Sequence, residues 1–175
     1  MPPQLPIPAA GKSDLVLDAV SADAFRRVMS RFSTCVTVVT AGGDKYPVGC
    51  TVTALFSLSL SPPSMAVSLK TGSRTLDHIR AEGIFAINVL SWPQRELAKQ
   101  FAVALPHHRF KDVDFTMRAG VPILVDAVAN VVCQLTQEIA VLDHTIIVGV
   151  VASASTAEAQ SPFVLYEHEA YRLIR

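Results

Sequence analysis

Between residues 127 and 155 the chain is almost continuously apolar and β-branched, and it breaks once, at Leu142-Asp143-His144. Two runs of this length predict two long strands, 127–141 and 145–155, joined by a short turn and paired as an antiparallel hairpin. That hairpin needs further strands to cover it. The rest of the chain offers them: residues 35–41 and 47–55 around Gly42-Gly43-Asp44, then 64–70, 84–90, 163–167 and 171–174. Six or more strands in hairpin-like succession, with few helices between them, favour a closed antiparallel barrel over alternating βαβ crossovers.

The predicted helices are short. Ser21 caps one on which Phe25, Val28, Met29 and Phe32 recur at i, i+3, i+4 and i+7, a face expected to cover the core. Ser73 caps a second that carries Leu76 and Ile79 and stops at Gly83. Pro93 opens a third, through Gln100, with Leu97 and Phe101 turned inward. Residues 103–120 read as a long polar loop. Residues 1–20, with repeated prolines and no periodicity, read as a flexible arm ahead of one domain spanning 21–175.

The 175 residues suffice for one full core, and 15 basic residues balance 15 acidic ones, so no general attraction to nucleic acid or anionic membrane is expected. Half the chain is hydrophobic and only 17% is charged, which predicts a buried subunit interface, read as a homodimer. Cys35, Cys50 and Cys133 are odd in number and widely spaced, giving neither a disulfide framework nor a zinc pattern; no metal is expected. The proline-broken N-terminus does not read as a signal peptide and no apolar run would span a bilayer, so a cytoplasmic protein is expected.

Two segments carry the candidate chemistry. Residues 47–63, PVGCTVTALFSLSLSPP, form a strand that is thin-walled over Gly49, Cys50, Thr51, Val52, Thr53 and Ala54, with hydroxyls on alternate positions. Ser73-Arg74-Thr75 stands at a predicted helix N-terminus, where free amides and a guanidinium favour phosphate. A planar ring tethered to a phosphate, as in a flavin nucleotide, fits both. Each segment also has a plain structural reading, a Thr-rich barrel strand and an ordinary N-cap. His107-His108-Arg109-Phe110 adds a basic cluster able to meet phosphate or adenine, and His144 is held at the rim by the long hairpin. No Gly-x-Gly-x-x-Gly, P-loop or Gly-x-Ser-x-Gly elbow is present.

Taken in order, FRRVMSRFSTCVTVVTA, PVGCTVTALFSLSLSPP, SLKTGSRT, FAINVL, the His-His-Arg-Phe loop, LDHTIIVGVV and PFVLYEHEAYRLI resemble the short-chain flavin reductases, the reductase components of two-component flavin-dependent monooxygenases. The resemblance implies a mainly β, FMN-binding split β-barrel, antiparallel and Greek-key-like, with a few short flanking helices, usually as a homodimer. It implies FAD or FMN against Gly49 to Ala54, with Ser68, Leu69, Lys70, Ser73, Arg74 and Thr75 toward the phosphates and His108, Arg109 and Phe110 nearby. It places Asp143, His144 and Tyr171 on the nicotinamide side, His144 as an orienting group for NADH, with NADPH the less favoured donor. The implied reaction is hydride transfer from C4 of the nicotinamide to N5 of the flavin, followed by release of reduced flavin to a partner oxygenase acting on a phenolic or aromatic substrate. A non-catalytic flavin-binding or redox-sensing barrel is the other reading. The chain departs from the family pattern at Leu142, where glycine is usual, and at Thr53-Ala54, where many members show Asn-Ser.

Overall fold

The computed structural model describes residues 20–43 and 46–173. The arm expected over residues 1–19, Asp44 of the expected turn and Ile174 of the last expected strand lie outside the described residues.

Twelve strands and three α-helices follow in chain order. They are α1 (Ala22–Met29), β1 (Thr34–Cys35), β2 (Thr37–Ala41), β3 (Val48–Val52), β4 (Leu55–Leu60), β5 (Pro63–Lys70), α2 (Arg74–Glu82), β6 (Ile84–Val89), α3 (Arg95–Val103), β7 (Phe115–Arg118), β8 (Val121–Leu124), β9 (Ala129–Val141), β10 (His144–Thr156), β11 (Phe163–Tyr166) and β12 (Glu169–Arg172). Seven form one antiparallel sheet in the order β3-β2-β6-β9-β10-β5-β4; β1, β11 and β12 form a second sheet, and β7 and β8 a hairpin.

The seven-stranded order has a geometric consequence. Its outermost strands, β3 and β4, are consecutive in the chain and only Thr53 and Ala54 join them. Seven strands laid flat would put those edges about 29 Å apart at ~4.8 Å per strand, whereas three Cα steps reach at most about 11 Å. The sheet must curl until its edges meet. The Ser68 amide donates to the Ala54 carbonyl at 2.9 Å, carrying the β4–β5 ladder one pair into the β3–β4 connection. The result is the antiparallel barrel expected from the strand succession, split at Thr53-Ala54.

Strand β2 is buried along its whole length because it is covered on both faces. On the barrel side Val39 and Ala41 join Val67, Leu69, Phe85, Ile87, Cys133 and Ile147, and α2 closes this core with Leu76 and Ile79. On the other side Val36 and Val38 pack with Leu90, Leu124 and Phe101 of α3, supported by Leu97 and Phe110. The Ser73 cap, the Leu76–Ile79 stripe and the left-handed Gly83 stop (φ 69°) of α2 match the sequence expectation.

Four expectations need correction. Helix α1 forms with its Ser21 cap but has no buried residue: Phe25, Val28, Met29 and Phe32 stay 43–60% exposed, so its apolar face covers no core among the described residues. The strand expected over 47–55 stops at Val52, because beyond that point the chain leaves one sheet edge for the other. Residues 103–120 are not simply a loop: the chain there contains a 3-10 turn at Pro106–His108 and strand β7, paired with β8. The turn expected at Leu142-Asp143-His144 is two residues, since His144 pairs with both Val141 and Lys70 as the first residue of β10.

Candidate functional site

The side chains of β3 divide between two neighbours. Val48 and Val52 enter the barrel core with Cys50 against it, while Gly49 and Thr51 face α3. A Cβ on Gly49 would lie 3.0 Å from Phe101 Cε1 and 3.1 Å from the Val39 carbonyl oxygen. The Thr51 hydroxyl donates to the Ala98 carbonyl at 2.6 Å. Gly49 and Thr51 therefore seat α3, and the Thr51 hydroxyl is spent on Ala98 rather than left facing a ligand. Thr53 and Ala54 are exposed, at the join between the two sheet edges and beside half-buried Ser68. The thin wall is at this join.

Strand β5 leads from Ser68 to the anion corner. Leu69 is 2% exposed, its side chain spent on the core, and Lys70 is exposed opposite His144. Thr75 is buried, and burial pushes the Cys50 thiol above its ordinary pKa. Ser73 caps α2 by accepting from the Leu76 amide at 3.4 Å, and Arg74 is exposed beside it. The accessible donor set is thus the Ser73 hydroxyl, the Arg74 guanidinium and the first-turn amides of α2, which lack intrahelical acceptors. This set suits a phosphate.

The tip of the β9–β10 hairpin is sewn to the same corner. The Thr71 amide donates to the Asp143 carbonyl at 3.0 Å, and the Thr71 and Thr145 hydroxyls are 3.0 Å apart. His144 Nδ1 lies 2.8 Å from Asp143 Oδ1, and that hydrogen bond, with the imidazole's positive charge when protonated, holds the Asp143 carboxyl below its ordinary range. The structure therefore gathers Asp143, His144, Lys70, Ser73 and Arg74. Tyr171 stands apart, in the β1-β11-β12 sheet, with its ring 6.1 Å from that of Tyr166.

The His-Arg-Phe loop is resolved into separate roles. Arg109 donates from Nη1 to the Gly49 carbonyl at 2.7 Å and from Nε to the Ala104 carbonyl at 3.1 Å, a tie between the loop and β3. Phe110 packs edge-on against Phe101 and Phe115 as part of the core, and His108 is exposed. The Gln100 amide secures the loop by donating at 2.9 Å to the carbonyls of both Arg109 and Lys111. The sequence reading passed over Tyr46 and His78, which line a cleft beside Arg74. The available signal was His78 one helical turn beyond Arg74. Among the described residues no group of three or more His, Cys, Asp or Glu is gathered to hold a metal.

An antiparallel split barrel with an exposed join and a phosphate-suited corner at the start of α2 is an arrangement that suits a flavin nucleotide. Comparison with known proteins agrees: the flavin reductase like domain family matches residues 29–175. The chain is 35% identical over 171 residues to an NADH flavin reductase of Kitasatospora aureofaciens, covering 95% of this chain and 87% of the relative. It is 34% identical over 151 residues to the reductase component of an FADH2-dependent resorcinol hydroxylase of a Rhizobium species, covering 84% of each. Among solved structures, an NADH:FAD oxidoreductase of Streptomyces globisporus superposes with a TM-score of 0.82 at 30% identity, covering 91% of this chain and 99% of that one. The chain belongs to the flavin reductase like family.

Proposed function

We propose that this protein is an NADH-dependent flavin reductase, residues 21–175 working as one unit that passes reduced flavin to a flavin-dependent monooxygenase acting on an aromatic substrate. The observation that carries the reading is the phosphate-suited Ser73-Arg74 corner at the start of α2, on a barrel whose relatives include NADH flavin reductases. The names of those relatives lend the binding-only alternative no support.

Bound at this site, the flavin supplies the hydride acceptor. Its phosphate would meet Ser73, Arg74 and the α2 amides, and Thr53, Ala54 and Ser68 would back its ring. The work left to the chain is positioning, which requires no protein nucleophile. His144, with Nδ1 engaged by Asp143, keeps Nε2 for the carboxamide of the reduced nicotinamide. Exposed Phe56, Leu58 and Leu60 on β4 and the bare apolar face of α1 support a homodimer that covers them. Three cysteines without disulfides fit a reducing, cytoplasmic setting; no helix among the described residues is long and apolar enough to cross a membrane.

The deciding experiment is NADH oxidation by purified protein with FAD or FMN, using cytochrome c as terminal acceptor. Many turnovers per protein chain are expected. Flavin binding without turnover would leave only a binding protein.

A further inference from the structure

His144 is the exposed first residue of β10, and both of its neighbours in the chain are held by one residue across the sheet. The register that pairs Lys70 with His144 places Thr71 opposite Asp143 and diagonal to Thr145. From there the Thr71 amide donates to the Asp143 carbonyl at 3.0 Å, and the Thr71 hydroxyl lies 3.0 Å from that of Thr145. Thr71 thus brackets the histidine.

The two bonds differ in what they require. Any residue except proline at position 71 could make the amide bond, because it uses only backbone. The hydroxyl bond belongs to the side chain. Thr145 is 1% exposed and Thr71 is the partner of its hydroxyl, whereas Thr71 itself is exposed and has water within reach. A buried hydroxyl stripped of its partner is costly, so the bond fixes Thr145 and the start of β10 with it. The other end of the same turn is the phosphate corner: the Ser73 amide donates to the Lys70 carbonyl at 3.1 Å through Gly72 at φ 75°, and Ser73 then caps α2 ahead of Arg74. His144 and Arg74 are therefore joined through Thr71 by a short, hydrogen-bonded path.

We propose that Thr71 is a positioning residue for flavin reduction: its hydroxyl, acting through Thr145, sets where His144 stands relative to the Ser73-Arg74 corner, and so how the reduced nicotinamide is presented to a flavin anchored there. The proposal rests on the reductase reading above and on His144 as the nicotinamide-orienting group. Displacing an orienting group by about 1 Å can slow a reaction on the order of a hundredfold, so a single hydroxyl bond at this distance from the chemistry has a measurable effect.

The test is steady-state NADH oxidation at saturating flavin, with the flavin dissociation constant and urea unfolding of the flavin-free protein measured beside it. Thr71→Val keeps the shape and the amide and removes the hydroxyl; Thr71→Ser restores it. Thr71→Val is expected to lower kcat/KM for NADH about tenfold while the flavin constant stays within about twofold, and Thr71→Ser to recover most of the loss. In a His144→Ala background Thr71→Val should cost nothing further, because the group it places is gone. Equal losses with and without His144, or a loss that Thr71→Ser does not restore, would overturn the proposal. A lowered unfolding midpoint with kcat/KM unaltered would make Thr71 a structural residue only, and a weakened flavin constant with NADH kinetics unaltered would make it a flavin contact. All of these leave the reductase reading standing, since turnover persists. Absence of turnover in wild type would remove that reading and the proposal together.

Discussion

Arg109 separates a structural tie from a ligand cation, and substitution can tell them apart. In the structure its guanidinium spans two backbone carbonyls, Gly49 at 2.7 Å and Ala104 at 3.1 Å, on segments 55 residues apart in sequence. A hydrogen bond from a charged group is worth about 1.5–3 kcal/mol when well formed, and these two are only partly buried, so the lower value for each is the fitting choice. Arg109→Ala should therefore cost roughly 3 kcal/mol, less whatever water restores to the freed carbonyls, about 2 kcal/mol net. For a chain of this length that is a fall in Tm of about 4–8 °C. Arg109→Lys keeps the charge but has no planar fork to span both carbonyls, so it should recover less than half of the loss. The measurement is urea unfolding of flavin-free protein followed by circular dichroism, because a tie acts before any ligand arrives. If flavin-free Arg109→Ala were as stable as wild type, while flavin bound weakly and Arg109→Lys restored that binding, the reasoning would fail and Arg109 would be a ligand contact.

Three further outcomes follow from other residues. His144→Ala should raise the KM for NADH several-fold and leave flavin affinity within about twofold; the opposite pattern would detach His144 from the nicotinamide. Leu142 is 99% exposed and sits at φ 54°, in the left-handed region that disfavours a side chain by about 1–2 kcal/mol. Leu142→Gly relieves that cost and gives back ~0.4–1 kcal/mol in unfolded-chain entropy, so a gain of about 0.5–1 kcal/mol in urea unfolding is expected, and a loss would refute the strain. Burial pushes the Cys133 thiol from 9.0 up to about 11. A raised thiol pKa means the folded chain holds its proton longer than the unfolded chain. Its contribution is fully present below the unfolded value and fades as pH rises toward about 11. Cys133→Ala should flatten the alkaline fall in stability between those limits, and an unaltered slope in pH-dependent unfolding would exclude the thiol as its source.

Much of the fold could be read from local pattern because its rules are local. Ser73, Leu76, Ile79 and Gly83 specify α2 within eleven residues, and the β9–β10 hairpin declares itself by length and a single turn. What escaped was set by partners distant in sequence. Alternation runs unbroken through Thr51, Val52, Thr53 and Ala54, so nothing local shows that the strand changes sheet edge there. Thr51 looks like a ligand-facing hydroxyl until Ala98 is known to sit above it. Arg109 and Phe110 were read as one cluster with His108, yet one ties β3 and the other fills the core with Phe101. The regular spacing of Phe25, Val28, Met29 and Phe32 showed a helix, but periodicity does not say whether the covering surface belongs to the same chain. For the site, Ser73, Arg74 and His144 were legible because a cap and a hairpin tip fix their positions. Tyr46 and His78 were not, since the cleft forms between three separate segments.

The closure of the sheet also has a history in time. β3 and β4 are made one after the other on the chain, yet in the sheet β2, β6, β9, β10 and β5 stand between them. The pairings that complete the circuit, β5 with β10 and β6 with β9, join residues far apart in sequence. Contacts of such high sequence separation form slowly. The Ser68 amide reports on the β4–β5 hairpin, whose Leu55-to-Val67 register its hydrogen bond to Ala54 extends by one pair at the join. Its exchange with solvent deuterium should be faster than that of core amides in β9, and a ring bound at the join should slow it.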